Sequence, residues 1–337
     1  MITDFLDSLP TQVLDRSRNL ELNIRSINAH AAIDELLLRT VLKGGKRLRP
    51  LLTYLVANLF KVDLDSITPF ARAVELVHAA SLSHDDVIDN ATTRRGSPSI
   101  NILGSNKRAV LAGDYLLSSA IVDLSSTGNL QLVKEMSLVI NDLSVGEWLQ
   151  LDLIASREYS RELIREIALK KTSSVMSYCT VAPAIFANMP VEIEELSRQF
   201  GINLGLAFQL IDDTLDYSLG SKKDHELDVK NGTVNSVVFE FLVNHFDLMK
   251  RFKAGEDLIS LIDSEGIRPF VLKITTEAHG YLEKAQVDLE KIGEYLKKTL
   301  YLIKDDDEGD DQSEASNLRA NIDQLQMVIS FMALRQN

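Results

Sequence analysis

Apolar residues along this chain recur in long blocks separated by polar segments, without the strict alternation that marks half-buried strands. Residues 1–40 predict one or two amphipathic helices that stop at Gly44-Gly45. Pro50 fits the first turn of a following helix through Leu51–Phe60. Phe70 to Leu82 is apolar on nearly every side, which predicts a buried helix over 70–89. Polar, Gly and Pro residues over Asn90–Asn101 predict a loop. Helical patterns resume over 107–124, 130–154, 161–181, 193–217, 234–263 and 270–303, with a second loop over 218–233. No proline lies between Pro98 and Pro183 or between Pro190 and Pro269. Such stretches, rich in Leu, Ala, Ile, Glu and Lys, favour helix. The chain reads as all-α.

Two of these helices end in the same acidic spelling, Asp85-Asp86-Val87-Ile88-Asp89 and Asp212-Asp213-Thr214-Leu215-Asp216. In a helix the first and last carboxylates of each cluster share a face, and the middle one lies on its flank. The second cluster follows Gly201–Ile211, another nearly all-apolar run. At a helix C-terminus the macrodipole disfavours negative charge, and neighbouring carboxylates raise one another's pKa unless a cation compensates. One acidic triplet on a helix is usually a solvated face. Two identical ones, each closing an apolar helix, point to a site for magnesium, a hard cation suited to oxygen ligands. Both predicted loops directly follow an aspartate cluster, where a lid would be needed.

Magnesium held by carboxylates usually recruits phosphate, so cations should occur nearby. Gly44-Gly45-Lys46-Arg47-Leu48-Arg49-Pro50 supplies three, and it lacks the spacing of a Walker phosphate loop. Arg94-Arg95-Gly96 adds two in the loop after the first cluster, where guanidinium forks suit phosphate. Together the two segments can hold a diphosphate.

Composition narrows the rest. The 337 residues form a single domain in this reading, with an acidic flexible segment at about 305–315. Asp305–Asp311 misses the calcium-loop spacing, because the first ligand position falls on Lys304. A net charge of −13 argues against a nucleic-acid partner. Cys179 is the sole cysteine, so an intrachain disulfide is impossible and a reducing compartment is expected. Met1–Leu20 shows no secretory pattern, and no apolar run reaches the ~20 residues of a membrane span. A cytoplasmic protein is expected.

With these residues in view, the chain resembles the trans-prenyltransferases, the all-trans polyprenyl diphosphate synthases. The resemblance rests on Gly44–Pro50, His78, both aspartate clusters, Arg94-Arg95-Gly96, Asn101, Gly113-Asp114, Gly146-Glu147, Lys171-Thr172 and Phe208-Gln209, and covers about residues 25–335. It implies a single helical bundle around a deep central pocket (the isoprenoid synthase fold), usually a homodimer. It also implies head-to-tail condensation of isopentenyl diphosphate with an allylic diphosphate such as farnesyl diphosphate. Asp85, Asp86, Asp89 and Asp212, with Asp216 and a supporting Asp213, would bind magnesium, three ions with substrate present. Lys171 and Arg94 would reach the allylic diphosphate. Thr172 and Gln209 would offer neutral dipoles to a carbocation, and Lys46, Arg49, His78 and Arg95 would hold isopentenyl diphosphate.

Small residues at Ala80 and Ser81, four to five positions before Asp85, and at Val77 imply a medium-to-long product, like that of the octaprenyl diphosphate synthases. After the second motif the family's usual lysines are out of position, and Lys222 and Lys223 are expected to compensate. Other readings are a geranylgeranyl-length synthase, a class I terpene cyclase, or a regulatory subunit of a heteromeric synthase. A cyclase usually carries an Asn/Ser/Glu motif on its second metal helix, and a regulatory subunit usually lacks aspartates retained here.

Overall fold

The computed structural model describes Phe5 and residues 9–22, 30–215, 217, 233–262, 265–302 and 311–334. Helix dominates, in the order α1 (Thr11–Arg18), α2 (Ala31–Arg39), α3 (Leu48–Leu59), α4 (Leu64–Ile88), α5 (Ile100–Leu103), α6 (Asn106–Ser125), α7 (Leu130–Ser156) and α8 (Arg161–Ala168). A π-helical turn, Leu169–Ser173, joins α8 to α9 (Ser174–Phe186). Then follow α10 (Val191–Leu215), α11 (Ser236–Val243), α12 (Phe246–Lys253), α13 (Leu258–Leu261), α14 (Arg268–Leu302) and α15 (Asp311–Leu334). Between α4 and α5, β1 (Thr93–Arg94) and β2 (Ser97–Pro98) pair antiparallel. The all-α reading therefore holds, and among the described residues no helix is long and apolar enough to cross a membrane. Of the acidic segment expected at about 305–315, residues 305–310 lie outside the described residues, as do Lys222, Lys223 and Asp216, while Asp311 onward is helical in α15.

The chain forms two compact units. One comprises Met1–Ile140 with Tyr178–Met189, the other Asn141–Ser177 with Pro190–Asn337. In the first, α4 packs along α6 and against α3. Helix α3 buries Pro50 through Ala57 and Leu59, the all-round burial expected of a helix with no polar face. In the second, α10 packs along α14, with the π-turn and α11 against α10 and α15 against α14. The carboxylate of Glu240 on α11, only 2% exposed, is held there by Arg161 of α8 and by Lys273 of α14 at 2.5 Å. A buried carboxylate without such partners would be strongly destabilising.

Helix boundaries depart from the sequence pattern in informative places. The helix expected from residue 70 begins at Leu64, because Asp63 caps it, accepting from the Ser66 N–H at 2.9 Å. Pro69 then falls inside the helix, where burial of Leu64, Ile67 and Phe70 outweighs one lost backbone bond. The single helix expected over 234–263 breaks into α11, α12 and α13, with Gly255 in a left-handed conformation before α13. The loop over 90–101 contains the β1–β2 hairpin. Its central residues, Arg95 and Gly96, both have positive φ, as a type I′ turn requires.

The π-turn matters most for the site. An extra residue per turn widens the helix and changes the direction of the side chains that follow. The turn lies so close to α10 that a Cβ on Gly205 would sit 2.4 Å from the Ser173 Cα. Replacing Gly205 by Ala should therefore cost about 1–3 kcal/mol through overpacking. Chemical denaturation measures this, and an unchanged midpoint would show that the contact is not tight.

Candidate active site

The first unit gathers the basic segments around the first aspartate cluster. Gly45, at φ +93°, leaves room for the Arg95 guanidinium, which would lie 3.3 Å from a Cβ at that position. Arg95 Nη1 donates to the Lys43 carbonyl at 3.0 Å, so the Gly-Gly loop and the hairpin are tied directly. Between them lies a cavity of about 250 Å³ whose lining includes Lys43, Gly44, Gly45, Arg94, Arg95 and Ser99. Burial, followed by the charges of Arg49, Arg95, Arg94 and Arg47, holds His78 well below its ordinary pKa. A neutral imidazole therefore faces a group of arginines. Arg49 is half-buried, and its Nε is enclosed without a hydrogen-bond partner. Lys46 is exposed.

Asp89 caps α4, and Asp85 lies one turn before it. Asp85 is half-buried and Asp89 exposed, whereas Asp86 is fully buried. Arg94 grips Asp86 Oδ1 through Nε at 2.7 Å and Nη2 at 2.6 Å, and the Ile100 N–H approaches Oδ2 at 3.4 Å. The motif's middle carboxylate thus faces the hairpin and the start of α5. Val77 and Ala80 on the same helix are buried, while Ser81 is half-buried and donates to the His78 carbonyl at 2.9 Å.

The second unit repeats the arrangement with different partners. Asp212 is half-buried and Asp213 is 6% exposed. A directed chain of hydrogen bonds runs from the π-turn to α11. Thr172 Oγ1 donates to Gln209 Oε1 at 2.7 Å, and Gln209 Nε2 donates to Asp213 Oδ1 at 2.9 Å. Oδ2 of Asp213 accepts from the Ser236 N–H at 3.0 Å. A flipped Gln209 amide would set oxygen against the carboxylate, so this order is the one that satisfies every member. Burial pushes Asp213 up to about 6, against the opposing pull of the Gln209 and Ser236 bonds.

The π-turn also aims Lys171, which is ion-paired with Glu147 and donates to Gln150 Oε1 at 3.1 Å; Lys170 meets Asp142 at 3.0 Å. Sequence reasoning assigned no role to Glu147, Gln150 or Asp142. The signal available was the i, i+3 spacing of Glu147 and Gln150 on one predicted helix, which only a tertiary contact turns into a clamp.

The sequence matches the polyprenyl synthetase family over residues 30–252. The chain belongs to that family. It is a prenyltransferase. A solanesyl-diphosphate synthase 1 of Oryza sativa subsp. japonica is 32% identical over 85% of this chain and 69% of its own length. An all trans-polyprenyl-diphosphate synthase of Mus musculus is 33% identical over 74% of this chain, which spans 64% of that protein. Among solved structures, a polyprenyl synthase from Caulobacter crescentus complexed with calcium and isoprenyl diphosphate is 25% identical. It superposes with a TM-score of 0.80 over 99% of this chain and 98% of its own. A decaprenyl diphosphate synthase from Rhodobacter capsulatus, 24% identical, shares the fold with a TM-score of 0.82 over 99% of both chains.

Family members generally depend on magnesium. Each unit carries donors that fit that ion: Asp85 and Asp89 in the first, and Asp212 in the second, offer hard carboxylate oxygens at helix ends. Among the described residues no three carboxylate, imidazole or thiol groups converge into a ready-made cage. Magnesium keeps several of its own waters and needs only one or two protein carboxylates beside substrate phosphates, a number that each aspartate cluster can supply by itself.

In this family member the neutral state of His78 has a consequence for stability. As pH falls below about 6.5 the unfolded chain takes up a proton at His78 that the folded chain refuses, so stability is lost on acidification through that range. The His78→Asn variant should lose less stability than wild type between pH 7 and pH 5. Parallel losses in denaturant midpoints would exclude a neutral, enclosed imidazole.

Proposed function

We propose that this prenyltransferase is an all-trans polyprenyl diphosphate synthase, joining isopentenyl diphosphate head to tail to an allylic diphosphate such as farnesyl diphosphate. The names of its relatives, solanesyl and polyprenyl diphosphate synthases, support a medium-to-long product. The observation that carries the reading lies in one compact unit. There Lys43, Arg94, Arg95 and the Asp86 carboxylate line a cavity of about 250 Å³, and a neutral His78 on the aspartate-ended helix feels the charges of Arg49, Arg95, Arg94 and Arg47.

In this reading Lys46, Arg49, Arg95 and neutral His78 hold the diphosphate of the homoallylic substrate. Lys171, presented by the π-turn and held meanwhile by Glu147 and Gln150, swings its ammonium to pair with the allylic diphosphate. Arg94, paired with Asp86, supports the same substrate from the hairpin. Asp85 and Asp89, and in the other unit Asp212 with Asp216, would hold magnesium, three ions in all once substrate is present. When bound, the metal neutralises charge accumulating on the departing pyrophosphate.

The carbon–oxygen bond of the allylic substrate breaks, leaving a cation beside Thr172 and Gln209. The Thr172 proton is committed to Gln209 and the Gln209 amide to Asp213. Both oxygens therefore keep lone pairs whose negative ends stabilise a cation, and neither is a strong nucleophile. The new carbon–carbon bond forms at the homoallylic double bond. The proton then lost passes to the released pyrophosphate, since no general base stands out among these residues.

We also infer a homodimer. Helix α7 leaves Leu130, Leu138, Val145 and Trp148 exposed along one face, Trp148 at 70%. Large apolar side chains left exposed in this number on one helix are a mark of association surfaces.

Two experiments test these readings. Purified chain with magnesium, isopentenyl diphosphate and farnesyl diphosphate should give linear products beyond the farnesyl length. Ser81→Phe should shorten them, and Ser81 is a better position than buried Ala80 because it tolerates a larger side chain without repacking the core. Cyclic hydrocarbons, or an unchanged product ladder in the variant, would refute the respective assignments. Trp148→Glu should convert a dimer to a monomer in sedimentation velocity; a wild-type monomer would remove the dimer.

A further inference from the structure

Arg47 lies between Lys46 and Arg49 in sequence, and its guanidinium is committed to partners inside the protein. Nη1 meets Glu75 Oε2 at 2.7 Å and Nη2 donates to the Leu42 carbonyl at 3.2 Å. The two side chains are only 16% and 10% exposed. The backbone of Arg47 is equally constrained. It is left-handed, φ 50° and ψ 36°, at a residue that is not glycine. Its carbonyl accepts from Ser17 Oγ and from the Leu51 N–H, each at 3.0 Å. A non-glycine residue in this region costs of order 1–3 kcal/mol and persists only where its surroundings hold it.

The charge around this pair sharpens the point. Arg49, Arg95, Arg94 and Arg47 all depress the His78 pKa, and Arg94, Arg47 and Arg49 add to the lowering that burial imposes on Arg95. Arg94 has Asp86 as its counter-charge. Glu75, on α4 one turn before His78, pairs with Arg47 and also opposes the loss of charge on Arg95. Without Glu75 a buried guanidinium would be left uncompensated beside three others.

We propose that Glu75 is a positioning residue for the isopentenyl diphosphate subsite: by holding Arg47 in its left-handed turn, it sets where Lys46 and Arg49 project. Lys46 precedes that turn and Arg49 lies two residues beyond it, so the Arg47 dihedrals fix the direction of both. Glu75 and Arg47 themselves touch no substrate. The inference rests on the functional reading above and adds to it the group that keeps the subsite in shape.

The test uses the full chain and three variants: Glu75→Gln, Arg47→Met, and Arg47→Met combined with Glu75→Leu. Breaking a buried pair leaves one charge unpaired, but replacing both partners with apolar residues is often neutral for stability, so the double variant separates folding from positioning. The KM values for isopentenyl and farnesyl diphosphates, the Kd for isopentenyl diphosphate by calorimetry, and the melting temperature are measured for each. Glu75→Gln should raise the KM and Kd for isopentenyl diphosphate about ten-fold or more, as for other small misplacements of binding groups. The KM for farnesyl diphosphate should stay near wild type. The double variant should melt near wild type and still show the raised values. Isopentenyl diphosphate affinity restored in the double variant would make the pair merely structural and overturn the proposal. Parallel rises in both KM values would do the same. A wild-type chain that neither binds nor turns over isopentenyl diphosphate would sink the functional reading itself.

Discussion

Charge withdrawn from water must be compensated within a few ångströms, and the candidate residues of each unit are arranged around that constraint. Their cations and carboxylates are packed densely enough that each would shift its neighbours if left alone. The fold supplies local counter-charges. Asp86 receives Arg94, Glu75 receives Arg47, Glu147 receives Lys171 and Asp142 receives Lys170. At Asp213, among the described residues, amide and backbone N–H groups take the role, and burial still lifts the pKa to about 6. The pairing keeps the site assembled before substrate arrives. The Lys171 ammonium, shared between the Glu147 carboxylate and the Gln150 amide oxygen, is nowhere left as a bare charge.

This compensation divides labour within the motifs. In both aspartate clusters the middle carboxylate faces the protein and ties down chain that follows the helix: the hairpin and Ile100 for Asp86, the start of α11 for Asp213. The outer carboxylates at Asp85, Asp89 and Asp212 are less buried. The basic loop divides in the same way, with Arg47 committed to Glu75 while Lys46 and Arg49 flank it.

Helix geometry carries the remainder. The π-turn at Leu169–Ser173 sends Lys171 toward α7 and Thr172 toward α10, two directions taken by neighbouring residues. Close approach at Gly205 keeps that turn against α10. A regular α-turn with a bulkier residue on α10 would disturb the Thr172–Gln209–Asp213 chain.

Much of this was legible in the amino-acid order. Long proline-free apolar blocks determined an all-α fold, because helix is the only structure that satisfies such a backbone locally. The repeated Asp-Asp-x-x-Asp spelling marked both acidic helix ends, and the glycines before Lys46 marked the basic loop, because their chemistry depends on spacing within one turn. What the order could not decide was which member of each cluster faces inward. Asp86 and Asp85 are adjacent and chemically identical, and so are Asp213 and Asp212. Arg47 reads the same as Arg49. Glu147 is one acid among many on an exposed-looking helix. Their roles are set by partners 8 to 28 residues away, Arg94, Ser236, Glu75 and Lys171, brought within hydrogen-bond reach only by packing. The start of α4 at Leu64 and the π-turn were hidden for the same reason: a cap and a helix–helix contact outweighed the local preference that the sequence displays.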